Sequence, residues 1–533
     1  MNIVFQYLSR AIRENPKYFA QSILLTILCA FLSSSTPWIL QRMLVSFQQH
    51  LHTALLLSAA AMILILCGSI ILEIIWNQSL DRFGGQYIKE LLAQCQQVLV
   101  HADGYQVMQY PKDSLSYRLY ANVLDVFRTI GHHIPKIIGS FSIVIILLAV
   151  SMTQSSLLCI FLLVAFLAGM SISYYSRKAI FLSNSKTNSA LSTLHGHIVN
   201  FTNSISYCKV NSLEEEMTDQ TRRDVDSFIQ ASIKEDRHVY FYSGIVKETN
   251  TIIQICFSVL LAYFIERGFT VNAAVYTLLF NLVMEQAGNA ESLFQAVNRT
   301  LISFQNVDEL LHLDCPDGTV TLEHIDCVDI NINSFVYPGQ TKPVLKSLQA
   351  QFVKGDCILL KGKNGSGKST LYQLLTKTIE TFDGTIRVNG TCLSELATKS
   401  YLKQIAYVSQ SEPLLNLPVK DYLRQVTHQR VLDQEIEEIL DRLDFGESNV
   451  CIRNQGSNLS GGQVKKLLMA KLLILKSHVD CIFLDEIDAG LDVETRHQYE
   501  DIVNQLAREG DKIIFVVQHT NDSRIQFNKR IDF

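Results

Sequence analysis

The stretch Cys357-Ile358-Leu359-Leu360-Lys361-Gly362-Lys363-Asn364-Gly365-Ser366-Gly367-Lys368-Ser369-Thr370 decides how the second half of this chain folds. Its opening apolar run has the length of a buried strand, and from Leu371 the apolar period is that of a helix. Between them stands G-x-x-x-x-G-K-S, in the strand–loop–helix setting that a phosphate-binding loop requires. Glycines let backbone N–H groups close on phosphate oxygens, and the helix amino terminus adds a favourable dipole. Gly362, Lys363, Asn364, Gly365, Ser366, Gly367, Lys368, Ser369 and Thr370 are therefore the expected nucleotide cradle, an α/β P-loop domain of the ATP-binding kind. Lys368 is expected to reach the β- and γ-phosphates and Ser369 to hold Mg²⁺.

Downstream, Asp480–Glu486 (DCIFLDE) is a second buried strand by composition, ending in two acids. Alone, an apolar strand ending in Asp-Glu is as often a surface feature as a functional one. Following a P-loop, Asp485 is expected to orient the Mg²⁺ shell and Glu486 to polarise the attacking water as general base.

Upstream, the character of the chain changes. Its 533 residues exceed what one hydrophobic core organises, and 48% hydrophobic with 18% charged residues is too apolar for an ordinary soluble protein. Mean hydropathy is +0.16. The long apolar runs lie before about residue 300. Six read as membrane spans: Tyr18–Leu40, Thr53–Ile75, Ile134–Met152, Ser155–Tyr175, Lys247–Ile265 and Val271–Val297. The long segments after spans two and four carry Arg82, Lys89, Arg118, Arg128, Arg177, Lys178, Arg222 and Arg223, which places them and both termini in the cytoplasm. Met1–Lys17 is amphipathic, with Ile3, Val4, Leu8 and Ile12 opposite Arg10, Arg13 and Glu14, and suits a helix lying on the membrane surface. Trp38 and Trp76 fall at span ends, as interfacial anchors do.

A net charge of −5 without basic blocks gives no support to nucleic-acid binding. Twelve scattered cysteines without a C-x-x-C pair suggest free thiols rather than a disulfide framework or zinc site. In span six, Asn281, Glu285 and Asn289 recur every fourth residue, a polar stripe on one helix face. It faces a substrate, an internal hydrogen-bonded network or the wet end of the helix.

Between the two nucleotide motifs stands Leu459-Ser460-Gly461-Gly462-Gln463, the LSGGQ signature of ATP-binding cassette (ABC) proteins. The chain resembles that family throughout: six spans followed by one cassette is the plan of an ABC exporter half-transporter of the bacterial multidrug or antibacterial-peptide type. The expected division is a transmembrane domain over 1–305, a linker over 306–325 and a cassette over 326–533. The resemblance implies that Tyr337 stacks on adenine, that Gln410 links Mg²⁺ to the membrane helices, that Ala489-Gly490-Leu491-Asp492 is the D-loop, and that His519 contacts the γ-phosphate. It further implies that Ser460, Gly461, Gly462 and Gln463 of one chain complete the ATP site of another. With Glu486, His519 and the signature intact, a homodimer is favoured over one half of a heterodimer.

Coupling segments at the tips of the long loops are expected within Pro111–Thr129 and Asn200–Ser212. Val464-Lys465-Lys466-Leu467 and Ala489-Gly490 depart from the common pattern, and the sequence stops at Phe533, before the terminal elements usual in the family. The implied activity is ATP-driven export of a small peptide or amphipathic compound across the bacterial cytoplasmic membrane. Alternatives are a siderophore or metabolite transporter, possibly an importer, and a channel or receptor that binds ATP as a signal.

Overall fold

A computed structural model describes residues 2–152, 156–267, 273–409, 412–428, 431–446, 449–489, 491, 493–518 and 523–533. They form two compact units: Met1–Val100 with Tyr110–His312, and His101–Gln109 with Leu313–Phe533.

The first unit is all helix. It opens with α1 (Asn2–Glu14), followed by α2 (Pro16–Ser34) and α3 (Thr36–Gln48), where Pro16 and Pro37 sit in first turns that need no N–H donor. The apolar face of α1 packs on protein, which corrects the membrane-surface reading. Val4, Tyr7 and Ala11 are buried with Phe83, Tyr87 and Phe304. The Tyr7 ring meets Phe304 edge-on at 5.3 Å, and its hydroxyl donates to Asp308 at 3.3 Å.

Three very long helices dominate the unit: α4 (His52–His101, 50 residues), then α9 (Ser156–Val210, 55 residues) and α10 (Glu214–Glu266, 53 residues). At 1.5 Å per residue each runs about 75–83 Å, far beyond a hydrocarbon core of about 30 Å, so each must continue outside the membrane. Between α4 and α9, the short helices α5 (Gly104–Val107), α6 (Lys112–Tyr117) and α7 (Val123–Arg128) lead to α8 (Ile134–Met152). Two π-helical turns, Arg118–Asn122 and Thr129–His133, flank α7. At the second, a Cβ on Gly131 would lie 3.0 Å from the Cα of Gly84, so these two backbones meet only because neither carries a side chain. The last long helix is α11 (Ala273–Leu311).

Among the described residues, four helical runs are long and apolar enough to cross a membrane: Pro16–Gln48, His52–His101, Leu115–Met152 and Glu214–Glu266. In α9 the apolar stretch is the shorter Cys159–Ala168, and α11 carries the polar stripe. Trp38 is exposed, as an anchor should be. Trp76 is half-buried, and its ring lies where a Cβ on Gly139 would touch it at 3.4 Å, so it faces a helix neighbour rather than the interface.

The second unit has two sheets. Strands β1 (Cys327–Phe335), β2 (Leu345–Val353), β4 (Asp383–Val388) and β5 (Thr391–Cys392) form an antiparallel sheet in the order β2-β1-β4-β5. Strands β3 (Cys357–Lys361), β6 (Ile405–Ser409), β7 (Cys481–Asp485), β8 (Ile513–Val517) and β9 (Lys529–Asp532) form a parallel sheet in the order β6-β7-β8-β3-β9. Successive residues of its strands alternate between two cores. Cys481 and Phe483 join one with Ile358 and Leu360, whereas Ile482 and Leu484 join the other with Ala406 and Val408. Burial on both faces explains why these strands read as unbroken apolar runs.

Helix α12 (Lys368–Leu375) covers the first core, while α16 (Gly461–Leu475) and α17 (Val493–Glu509) cover the second; α13 (Thr398–Leu402), α14 (Val419–Val426) and α15 (Asp433–Arg442) complete the unit. The terminal residues are ordered: β9 pairs with the outer side of β3, burying Ile531.

Candidate functional site

Register alone gathers the chemistry. Ser409 pairs with Asp485, Asp485 with Val517, and Val517 with Leu360. The carboxyl ends of β6, β7, β8 and β3 therefore align, and ligands of open parallel sheets bind at that edge. The loop Gly362–Gly367 follows β3 there, and Glu486 follows β7.

Within the loop, Gly365 and Gly367 have φ of +77° and +107°, in the left-handed region open to glycine. A Cβ on Gly367 would lie 2.5 Å from Leu345, and one on Gly362 would lie 2.4 Å from the Ser366 hydroxyl. Lys368 is 6% exposed, and its ammonium donates to the carbonyls of Gly362 at 2.8 Å and Lys363 at 3.2 Å. No carboxylate pairs with it among the described residues, and the buried Ser366 hydroxyl likewise has no partner. A buried cation coiled on its own loop and an unmet hydroxyl beside it are groups that an oligophosphate would satisfy. Lys363, Asn364, Gly365 and Ser369 are exposed at the mouth of the cradle.

Thr370 turns inward instead: its hydroxyl shares a 2.9 Å hydrogen bond with the hydroxyl of Tyr337, which also donates to Gln373 at 3.0 Å. Tyr337, two residues beyond β1, is thereby locked against the first turns of α12, its ring edge-on to Phe335 at 4.9 Å.

Asp485 is 8% exposed and accepts from the Tyr407 hydroxyl at 3.3 Å. Burial pushes the Tyr407 hydroxyl up to about 12, so it stays a donor at neutral pH. Glu486 adopts φ +55°, an uncommon conformation for a residue with a side chain, and its backbone N–H reaches Val517 at 3.2 Å. Strain of this sort persists only where surrounding structure dictates it.

The signature residues occupy the start of α16. Ser460 caps the helix, accepting from the Gln463 N–H at 3.2 Å while the Gln463 side chain accepts from the Ser460 N–H at 2.9 Å. Ser460, Gly461 and Gly462 are exposed, and no hydrogen bond joins them to the loop at Gly362–Gly367 among the described residues. The remaining expected positions, Gln410, Asp492 and His519, lie outside the described residues, as does Gly490 of the expected D-loop.

Two features escaped the sequence reading. Lys471 of α16 donates to Glu412 at 2.5 Å and to the Tyr407 carbonyl at 2.8 Å, and the Tyr422 hydroxyl donates to the same Glu412 oxygen at 3.2 Å. A buried ion pair thus ties the signature helix to the segment after β6. The second is His101–Gln109. Asp103 caps α5 and accepts from the N–H of Glu380 at 3.0 Å and from Thr381; the Gly104 N–H donates to Thr378 at 2.9 Å. The Tyr105 ring lies 6.3 Å from that of Phe335, which abuts Tyr337, so a chain of three rings runs from this segment to the cradle. This segment belongs to the second unit and directly precedes the first expected tip, Pro111–Thr129, which with Asn200–Ser212 belongs to the other unit. Its one sequence signal is the Asp103-Gly104 turn pair. In the helical unit, Asn281, Glu285 and Asn289 are exposed along one face of α11.

Residues 345–489 match the ABC transporter family. An ATP-dependent lipid A-core flippase of Vibrio parahaemolyticus serotype O3:K6 is 27% identical over 259 residues, covering 46% of this chain and 43% of the flippase. The corresponding flippase of Aliivibrio fischeri is 27% identical over 258 residues with the same coverage. The chain thus spans less than half the length of the curated relatives it matches. A bacterial Atm1-family ABC exporter with ATP bound superposes with a TM-score of 0.84 at 14% identity, over 96% of this chain and 92% of that one. The fold is that of an ABC exporter half-transporter, a helical membrane unit joined to one α/β ABC cassette. With its apolar helices, the chain is an integral membrane protein whose cassette lies on the cytoplasmic side.

Proposed function

We propose that two copies of this chain hydrolyse ATP and use the energy to export a small peptide or amphipathic compound across a bacterial cytoplasmic membrane. The observation that carries the reading is the division of labour within one cassette. The cradle at Gly362–Thr370 and the acids Asp485 and Glu486 share one sheet edge, whereas the exposed amino terminus of α16 at Ser460–Gly462 makes no hydrogen bond to that cradle among the described residues. Backbone N–H groups at a helix start favour an anion, and the phosphates held by a second copy would supply it.

In this reading Lys368 neutralises the phosphates. Ser369, Asp485 and Gln410 would hold Mg²⁺, which supplies charge neutralisation at the oxygens between which phosphoryl transfer occurs. Glu486 accepts a proton from the attacking water, and His519 contacts the transferred phosphoryl group. The asymmetry between donor and acceptor faces favours a homodimer with two equivalent sites. The named relatives flip lipid A-core, so a lipid-linked amphiphile is the second cargo reading; the polar stripe on α11 favours a cargo with its own polar group.

The experiment is ATP turnover by the purified chain in lipid vesicles, compared with Glu486→Gln. The variant should bind ATP, stop turning over and accumulate as a closed dimer. Unchanged turnover would sink the assignment of Glu486, and turnover linear in protein at concentrations where the chain is monomeric would sink the two-copy site.

A further inference from the structure

We propose that the cargo is a small amphipathic organic cation, seated in a cavity of the helical unit between Glu73 and Glu285. The identity of the cargo rests on the export reading; occupancy of the cavity does not.

A cavity of about 460 Å³ opens among α2, α4, α8 and α11, lined by Glu73, Trp76, Lys136, Gly139, Glu285 and Asn289 among others. Its volume is in the range of sites for drug-sized ligands. Of the polar stripe, Glu285 and Asn289 line it and Asn281 does not. Glu73 comes from the second apolar run and Glu285 from the sixth, so the two carboxylates arrive on different helices. Neither has an ion-pair or side-chain hydrogen-bond partner among the described residues, and the same is true of Lys136. Two carboxylates against one ammonium leave the lining with one negative charge in excess.

Unpaired carboxylates within membrane helices are costly and persist where a cavity or a ligand compensates them. The compensating group is therefore cationic. Trp76 adds a second line of argument. Its indole lies against Gly139, and its buried N–H has no acceptor among the described residues. An aromatic face beside a carboxylate pair attracts an organic cation both electrostatically and through the ring quadrupole. Ile143 and Leu293 give the apolar part of the ligand a wall. A metal ion is a poorer occupant, because no group of three His, Cys, Asp or Glu side chains gathers among the described residues.

The test uses the full chain in lipid nanodiscs with Trp38→Phe, which leaves Trp76 as the one indole. Tetraphenylphosphonium and the nearly isosteric anion tetraphenylborate are titrated against its fluorescence. Saturable quenching by the cation, at least tenfold tighter than by the anion, is expected. Glu73→Gln and Glu285→Gln should each weaken the cation about tenfold, the worth of one partly screened charge contact. Glu285→Asp, which keeps the charge, should retain the preference, so a merely misfolded variant is told apart from a lost contact. Equal affinity for the two ions, quenching that never saturates, or full affinity in both glutamine variants would overturn the proposal. ATP turnover in the same nanodiscs is read separately. Cation binding without any hydrolysis sinks the export reading and leaves the cavity assignment standing, while hydrolysis without cation preference does the reverse.

Discussion

The ammonium of Lys465, in the second turn of the signature helix, donates to the carbonyl of Ala489 at 2.7 Å. Ala489 in turn closes a turn on Glu486 through its own N–H, at 3.2 Å. One side chain therefore fixes the loop that sets Glu486 relative to α16. Both residues stand where this chain departs from the usual family pattern, and the departures meet each other.

Lys465→Met removes the donor and keeps the bulk of the stem. A hydrogen bond from a charged group is worth about 1.5–3 kcal/mol, reduced here by partial exposure. We expect ATP turnover to fall several-fold with the KM for ATP within about twofold, because the cradle at Gly362–Thr370 is untouched. Steady-state ATPase kinetics check this; an equal rise in KM would place the effect in nucleotide binding instead.

Glu486 at φ +55° distinguishes side-chain chemistry from backbone strain. Glutamine tolerates that conformation about as well as glutamate, so Glu486→Gln should abolish turnover with little change in melting temperature. Glu486→Val should also abolish turnover, but the left-handed region costs a β-branched residue about 1–2 kcal/mol more. For a unit of this size that lowers the melting temperature by about 2–8 °C. Calorimetry of the two variants separates the effects.

Docking of His101–Gln109 offers a third test. A Cβ on Gly104 would fall 2.2 Å from the Thr378 carbonyl, against rigid backbone. Gly104→Ala should detach the segment, and Asp103→Asn should weaken it by removing a charged acceptor shared by Tyr105, Glu380 and Thr381. Both variants should keep cargo-independent ATP turnover within about threefold while losing most cargo stimulation. Retained stimulation in both would show that the segment transmits nothing.

The cassette was legible because its evidence is local. A P-loop is contiguous, and strands buried on both faces announce themselves as apolar runs such as Cys481–Leu484. What could not be read depended on packing between distant segments. The face of α1 that looked ready for lipid covers Phe83 and Phe304, since an apolar stripe does not specify what it meets. Trp76 was assigned by its place at a span end, but Gly139 makes a berth for its ring. The segment His101–Gln109 was not legible, because α4 runs on to His101 and an Asp-Gly turn of four helical residues carries no periodicity. The stripe on α11 was visible by spacing, whereas Glu73, its counterpart in the cavity, lay alone in an apolar run.

Thiol chemistry gives the last prediction, with its sign set by burial. Cys357 lies inside β3, and burial pushes its thiol from 9.0 up to about 12; Cys481, on β7 and in the other core of the same sheet, is also pushed up by burial. A water-soluble maleimide, which attacks the thiolate, should label the exposed cytoplasmic Cys315 and Cys451 at pH 8 and spare Cys357 and Cys481 until the cassette unfolds. The same shift makes stability depend on pH. Below about pH 9 the Cys357 thiol is protonated in both folded and unfolded chains, and its contribution is fully present. As the pH rises from 9 towards 12 only the unfolded chain ionises, so the contribution is progressively lost. Cys357→Ala should therefore show a shallower fall in melting temperature between pH 9 and 11 than the parent, measured by calorimetry. Parallel slopes would mean that the thiol ionises in the folded chain as it does in water.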